Sequence, residues 1–141
     1  MVKIKRVKEI TPEIVDAFLV LMPQLTTTSP APDEKLLESI LESKDTYLFV
    51  AYHSKIVGTL TVVITKTPSG IKAWIEDVIV DSSCRGQHIG KMLVAYAIDF
   101  AKELNVSTLN LTSSPDRVVA NQLYQSMGFA LRETNVYRLT L

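Results

Sequence analysis

At 141 residues, 47% hydrophobic and 21% charged, the chain is long enough to bury a substantial core and is most simply one domain spanning residues 1–141. Fifteen basic residues balance fifteen acidic ones, which argues against a general nucleic-acid or anionic-membrane binder and leaves room only for a local basic patch. No apolar run approaches membrane-spanning length and MVKIKRVKEI lacks the form of a signal peptide, so the expected location is cytoplasmic, with neither membrane nor nucleic acid as partner.

Alternation over residues 3–8 suggests a first strand. Thr11, Pro12 and Glu13 then read as a helix start: a capping hydroxyl, a proline in the first turn, and an acid at the positive end of the dipole. Ile14, Val15, Phe18, Leu19 and Met22 keep helical spacing as far as Pro23. TTTSPAP has no periodicity and reads as a mobile loop, followed by a short helix over residues 33–43 with Leu36, Leu37, Ile40 and Leu41 inward. The period then changes to two. TYLFVAY and KIVGTLTVVIT flank a turn at His53 and Ser54, and TPSG leads into IKAWIEDVIV, an antiparallel meander. Residues 90–104 are helical, with Leu93, Ala97, Phe100, Ala101 and Leu104 on one face. STLNLTS reads as a strand, residues 116–127 as a helix, and FALRE and VYRLTL as closing strands. The sum is an α/β (α+β) fold with a mixed, mostly antiparallel sheet and helices on both faces.

The single cysteine, Cys84, excludes an internal disulfide and a thiolate-rich zinc site, and with His53 and His88 far apart no metal is expected. Chemistry is instead concentrated in DSSCRGQHIGKML, residues 81–93, which joins a strand to a helix. A helix N-terminus offers unpaired N–H groups and a partial positive charge, both suited to phosphate. Two nucleotide cradles fail on spacing. GQHIGKM is one residue short of a Walker loop and has Met92 where Ser or Thr is needed, and the spacing from Gly86 to Gly90 is not that of a dinucleotide fingerprint.

A third pattern fits. Arg85, Ile89 and Gly90 stand in register with the loop of the GNAT superfamily of acetyl-CoA-dependent N-acetyltransferases (Arg or Gln, two residues, Gly, one residue, Gly or Ala), with His88 replacing the first glycine. Downstream, Ala120, Tyr124, Gly128 and Phe129 match the superfamily's AxxxYxxxGF, and IEDVIV looks like its splayed central strand. The resemblance runs over the whole chain. In detail it is similar to a bacterial subgroup of small GNAT enzymes and, around IEDVIV, to glucosamine-6-phosphate acetyltransferases.

The resemblance implies a GNAT fold, acetyl-CoA as donor and a primary amine of a small molecule or protein as acceptor. In the direct reaction an amine loses its proton, attacks the thioester through a ternary complex, and releases a thiolate that needs a proton. It implies a diphosphate cradle made of backbone N–H groups from Arg85, Gly86, Gln87, His88, Ile89, Gly90 and Lys91, with Arg85 adding charge. Val78, Ile79 and Val80 would pair with the pantetheine arm as a strand does, and the Val78 or Ile79 amide would polarise the carbonyl. Tyr124 would protonate the leaving thiolate, a role weighed against that of a core aromatic. Glu76 is chosen over Asp77 as base, directly or through water, because strict alternation lets at most one of the two face the substrate unless a bulge intervenes. Asn121 and Arg117 would flank the CoA cleft; Arg117 stands where many relatives have Asn. His88 is expected to be a tolerated variant with φ below zero, and Cys84 a small apolar filler. The acceptor would lie against TTTSPAP, the first two helices and the C-terminal strands, and VYRLTL could supply the edge of a homodimer. The alternative function is a non-catalytic acyl-CoA sensor or interaction module on the same fold. A tRNA-modifying toxin would instead need a concentrated basic face at the acceptor cleft.

Overall fold

The structure, a computed structural model, describes all residues from Met1 to Leu141. In chain order it comprises β1 (Lys3–Arg6), α1 (Pro12–Leu25), α2 (Glu34–Glu42), β2 (Thr46–His53), β3 (Lys55–Thr67), β4 (Gly70–Val80), a 3₁₀ turn (Ser82–Cys84), α3 (Ile89–Glu103), β5 (Leu109–Asn110) and α4 (Val118–Ser126). The five strands form one sheet in sequential order, antiparallel from β1 to β4 and parallel between β4 and β5. That parallel step requires a crossover, which α3 supplies. It is the expected mixed sheet.

The pleat sorts the core into two layers. Along β2, Leu48 and Val50 join Ile14, Phe18, Leu21 and Leu37 from α1 and α2, whereas Phe49 and Ala51 join Leu93, Val94, Ala97 and Ala101 from α3. Helices therefore cover both faces. Each fully buried Leu, Ile or Phe in these layers contributes about 1.5–3 kcal/mol. Gly58 of β3 permits a close approach: a Cβ there would stand 3.0 Å from the Ile79 carbonyl oxygen and 3.2 Å from Leu93 Cδ1.

Both early helices start as their caps require. Thr11 Oγ1 accepts from the Ile14 N–H at 3.3 Å, and Asp33 Oδ1 from the Leu36 N–H at 2.8 Å. Four details depart from the sequence expectation. Helix α1 runs past Pro23 to Leu25; the proline forfeits one bond in the last turn, but the Thr26 N–H still reaches the Met22 carbonyl at 3.1 Å. Leu36 is exposed, because a helix 3.6 residues per turn can aim only the Leu37, Ile40 and Leu41 side of α2 at the sheet. Only two residues of STLNLTS pair, since β4 turns away from β5 after them. FALRE and VYRLTL form no strands, because no neighbouring strand pairs with their backbone.

Candidate functional site

The sheet opens where β4 and β5 part. Their pairing is confined to Ala73 with Leu109 and Trp74 with Asn110, so β4 beyond Trp74 is hydrogen-bonded to β3 alone. A bulge lies in this opened half. Thr61 pairs with Glu76 and Thr59 with Ile79, leaving Leu60 opposite two residues, Asp77 and Val78. Asp77 takes up the extra residue in the left-handed region, at φ 51°. Alternation is thereby broken, and both acids reach the same place. Glu76, Asp77 and Val78 line a cleft of about 130 Å³ whose other walls are Leu111 and Thr112 beyond β5, Arg117 and Tyr124 from the α4 region, and Leu25 from the end of α1. A larger depression of about 230 Å³, between Arg6, Lys8 and Tyr47, holds none of the candidate residues, and the chemistry lies in the smaller cleft.

Electrostatics divide the cleft's titrating groups. Partial burial pushes the Glu76 carboxyl above its ordinary value of 4.5, and the neighbouring Asp77 charge pushes it the same way. Tyr124 is buried, 7% exposed, with its ring edge-on to Phe129 at 6.1 Å between centroids. Burial raises its phenol above 10, opposed by the nearby Arg117 charge. The cleft thus pairs a carboxylate disposed to hold a proton with a phenol that keeps its own at neutral pH. Asn121 is partly committed: its amide donates to the Ser114 and Arg117 carbonyls at 2.9 and 2.8 Å, holding the entry to α4.

At the end of β4 the chain makes a tight turn into α3. Asp81 accepts from the Ser83 N–H and hydroxyl, each at 3.1 Å, and these bonds, the backbone one foremost, hold its carboxyl below 3.8. From α1, the Gln24 side-chain oxygen accepts from the Ser82 N–H at 2.8 Å. Gly86 and His88 follow at φ 82° and 62°, and α3 begins at Ile89. The expectation of a negative φ at His88 is therefore corrected. The residue is the N-cap of α3 and turns the chain there through the left-handed region, which histidine enters more readily than a β-branched residue. The first intrahelical bond runs from the Met92 N–H to the His88 carbonyl, so the N–H groups of Ile89, Gly90 and Lys91 have no acceptor within the helix. No acid sits in this first turn, and Arg85, Gln87 and Lys91 are exposed beside it. A Cβ on Gly90 would make only ordinary contacts, at 3.7 Å to Val80 and 3.8 Å to Leu123.

Sequence reasoning did not single out Leu25, Leu111 or Thr112, which only the parting of β4 and β5 brings to the cleft, nor Gln24, whose bond to Ser82 spans 58 residues. No local pattern marks them. Val78 and Val80 pack toward the α3 layer and Ile79 toward the α1–α2 layer, so their side chains serve the core while their backbones line the opened edge. Cys84 is half-buried and packs on the α3 layer. No cluster of His, Cys, Asp and Glu is placed to hold a metal ion, and no helix is long and apolar enough to cross a membrane.

Residues 12–129 match the family model described as acetyltransferase (GNAT) family. The chain belongs to the GNAT family. Its relatives are acyl-transferring enzymes by name: it is 29% identical over 105 residues to the uncharacterised N-acetyltransferase YhdJ of Bacillus subtilis (strain 168), covering 72% of this chain and 73% of that protein. It is 30% identical over 123 residues to the glucosamine 6-phosphate N-acetyltransferase of Arabidopsis thaliana, covering 80% of each. The crystal structure of an aminoglycoside acetyltransferase, meta-AAC0020, from an uncultured soil metagenomic sample superimposes with a TM-score of 0.83 at 26% identity, over 99% of this chain and 96% of that one. The GNAT fold accounts for the parted strands, and the family makes this chain an acyltransferase by kinship.

Proposed function

We propose that residues 1–141 act as one acetyltransferase domain that moves acetyl from acetyl-CoA directly to a primary amine in a ternary complex. The observation that carries this reading is the convergence of Glu76 and Tyr124 on one cleft at the parted strands, with three unbonded N–H groups at the far end of the same strand. The donor fits the residues present. The N–H groups of Ile89, Gly90 and Lys91, with those of the Arg85–His88 turn and the Arg85 charge, suit a diphosphate. The unpaired edge of Val78, Ile79 and Val80 suits an amide-bearing arm lying beside it as a strand. Arg117 and Asn121 flank that arm.

Glu76 takes the proton of the acceptor ammonium, directly or through water, and the freed nitrogen lone pair attacks the thioester carbon. The Val78 or Ile79 N–H donates to the oxygen as it gains charge. The carbon–sulfur bond then breaks, and Tyr124 gives its proton to the thiolate, a group whose thiol has a pKa of roughly 8.5. The adduct nitrogen sheds its remaining extra proton as the amide forms, Tyr124 regains a proton by way of solvent, and Glu76 releases the one it took, so one proton leaves per turnover. The two relatives named for an acceptor act on amino sugars, so glucosamine 6-phosphate and an aminoglycoside head the candidates for this chain, ahead of free amino acids and protein lysines.

A panel of these amines assayed for free CoA release, beside calorimetric titration with acetyl-CoA, tests the reading. Binding together with release for at least one amine supports it. Absence of acetyl-CoA binding sinks it, and binding without release for every amine would assign the chain to acyl-CoA sensing instead.

A further inference from the structure

Three charged side chains line the cleft at the parted strands: Glu76 and Asp77 from β4, and Arg117 from the entry to α4. None of them is paired within the protein, whose one ion pair joins Lys66 to Asp45. Arg117 is held by its backbone alone. Its N–H donates to the Ser114 carbonyl at 3.0 Å, and its own carbonyl accepts from the Asn121 N–H at 3.0 Å and from the Asn121 side chain at 2.8 Å. The guanidinium is left exposed at the cleft, close enough to Tyr124 for its charge to act on the phenol. It offers five N–H donors in a planar fork that matches two oxygens of a phosphate or a carboxylate.

The walls of the cleft are therefore charged in a fixed order, two carboxylates on the β4 side and a guanidinium on the α4 side. Leu25, Ile75, Val78 and Leu111 supply apolar surface between them. At about 130 Å³ the cleft is small enough for one small molecule to touch both walls. An acceptor with its ammonium at the acids and an anionic group at Arg117 would make two charge-assisted contacts across that apolar surface. A purely cationic acceptor satisfies the acids but sets its remaining charges against Arg117.

We propose that Arg117 sets acceptor specificity: it binds the phosphate or carboxylate of a small amine whose ammonium lies at Glu76 and Asp77. The inference rests on the acetyltransferase reading above and names the class of acceptor within it. Glucosamine 6-phosphate carries its charges in this order, whereas a polycationic aminoglycoside does not. Because Arg117 is exposed, salt should weaken the preference.

Steady-state CoA release should be measured with two pairs of amines, glucosamine 6-phosphate against glucosamine and β-alanine against β-alaninamide. The parent should prefer the anionic member of at least one pair by about 10–100-fold in kcat/KM, and the pair that shows this tells phosphate from carboxylate. Arg117→Gln should bring that ratio to about 1, chiefly by raising KM for the anionic amine with kcat little changed. Arg117→Lys, which keeps the charge and loses the fork, should restore part of it. Comparing the ratio between proteins cancels differences in amine basicity. Acetyl-CoA affinity by calorimetry should stay within about twofold in both variants, since the side chain is exposed and the backbone bonds at the entry to α4 remain. A preference that survives in Arg117→Gln overturns the proposal, as does a parent that favours the neutral amines. Weaker acetyl-CoA binding with an unchanged ratio also overturns it and assigns Arg117 to the donor. Release from none of the four amines, with acetyl-CoA bound, removes this acceptor class and leaves donor binding standing. Absence of acetyl-CoA binding removes both readings.

Discussion

Tyr124 and Glu76 are shifted in the same direction for different chemical ends. Burial holds the Tyr124 phenol protonated, which suits a donor to a departing thiolate. Replacing Tyr124 by Phe keeps the ring, its packing against Phe129 and the buried volume, so stability should change little while turnover falls about 100-fold or more. Acetyl-CoA affinity should be unchanged. Steady-state kinetics beside calorimetry would read this split, and an unchanged kcat would return Tyr124 to packing alone. Glu76 is raised by partial burial and then by Asp77. A base works only when ionised, so kcat/KM should fall as pH drops through a midpoint above 4.5. In Glu76→Gln that acid limb should vanish and the remaining rate lie about 10²–10⁴-fold lower. A limb retained in the variant would give the proton transfer to another group.

At the scale of elements, the bulge in β4 and the turn into α3 are the two irregularities that build the site, and both use left-handed residues that are not glycine. At His88 the cost can be measured. A left-handed φ costs an ordinary residue about 1–2 kcal/mol, and glycine gives back roughly 0.5–1 kcal/mol of that through its freer unfolded chain. His88→Gly should therefore be neutral to stabilising by up to about 1 kcal/mol and keep acetyl-CoA binding. His88→Val, stiff at χ1 and poorly suited to positive φ, should lose about 1–3 kcal/mol in urea denaturation and weaken binding. Equal stability of the three proteins would mean that the turn does not hold its left-handed geometry. The sequence could reveal the loop because Arg85, Ile89 and Gly90 are spaced as a contiguous pattern. It could not give the φ of His88, which depends on how α3 must leave β4. Nor could it resolve Glu76 and Asp77 by period two, because a bulge is a mismatch between two strands and leaves no mark in either alone. The meander and α3 were legible from alternation and helical period. The length of β5 and the unpaired C-terminal segment were not, since strand-forming residues form a strand only where a neighbour lies within reach.

Across the whole molecule the site works against the stability that the two core layers supply, and the sign of that opposition depends on pH. Asp81 has a lowered folded pKa, so its contribution is fully present above about 3.8 and is lost as pH falls through the folded value. Glu76 acts in the reverse sense. Between 4.5 and its raised folded value the native protein still holds a proton that the unfolded chain has released, so stability declines as pH rises through that window. Glu76→Gln removes the titration while leaving the strand and its bulge in place. The stability of the variant relative to the parent, from urea midpoints at a series of pH values, should therefore rise through the window above 4.5 and be level on either side. For Asp81→Asn the difference from the parent should change only at the acid end, growing as pH rises toward about 3.8 and staying level at its full size above it. A flat difference for Glu76→Gln across the whole range would mean that the carboxyl is no more protonated in the folded protein than in the unfolded chain, so that neither burial nor Asp77 tunes it. A rising one would measure the free energy that the fold gives up to keep a proton acceptor partly dry beside Tyr124.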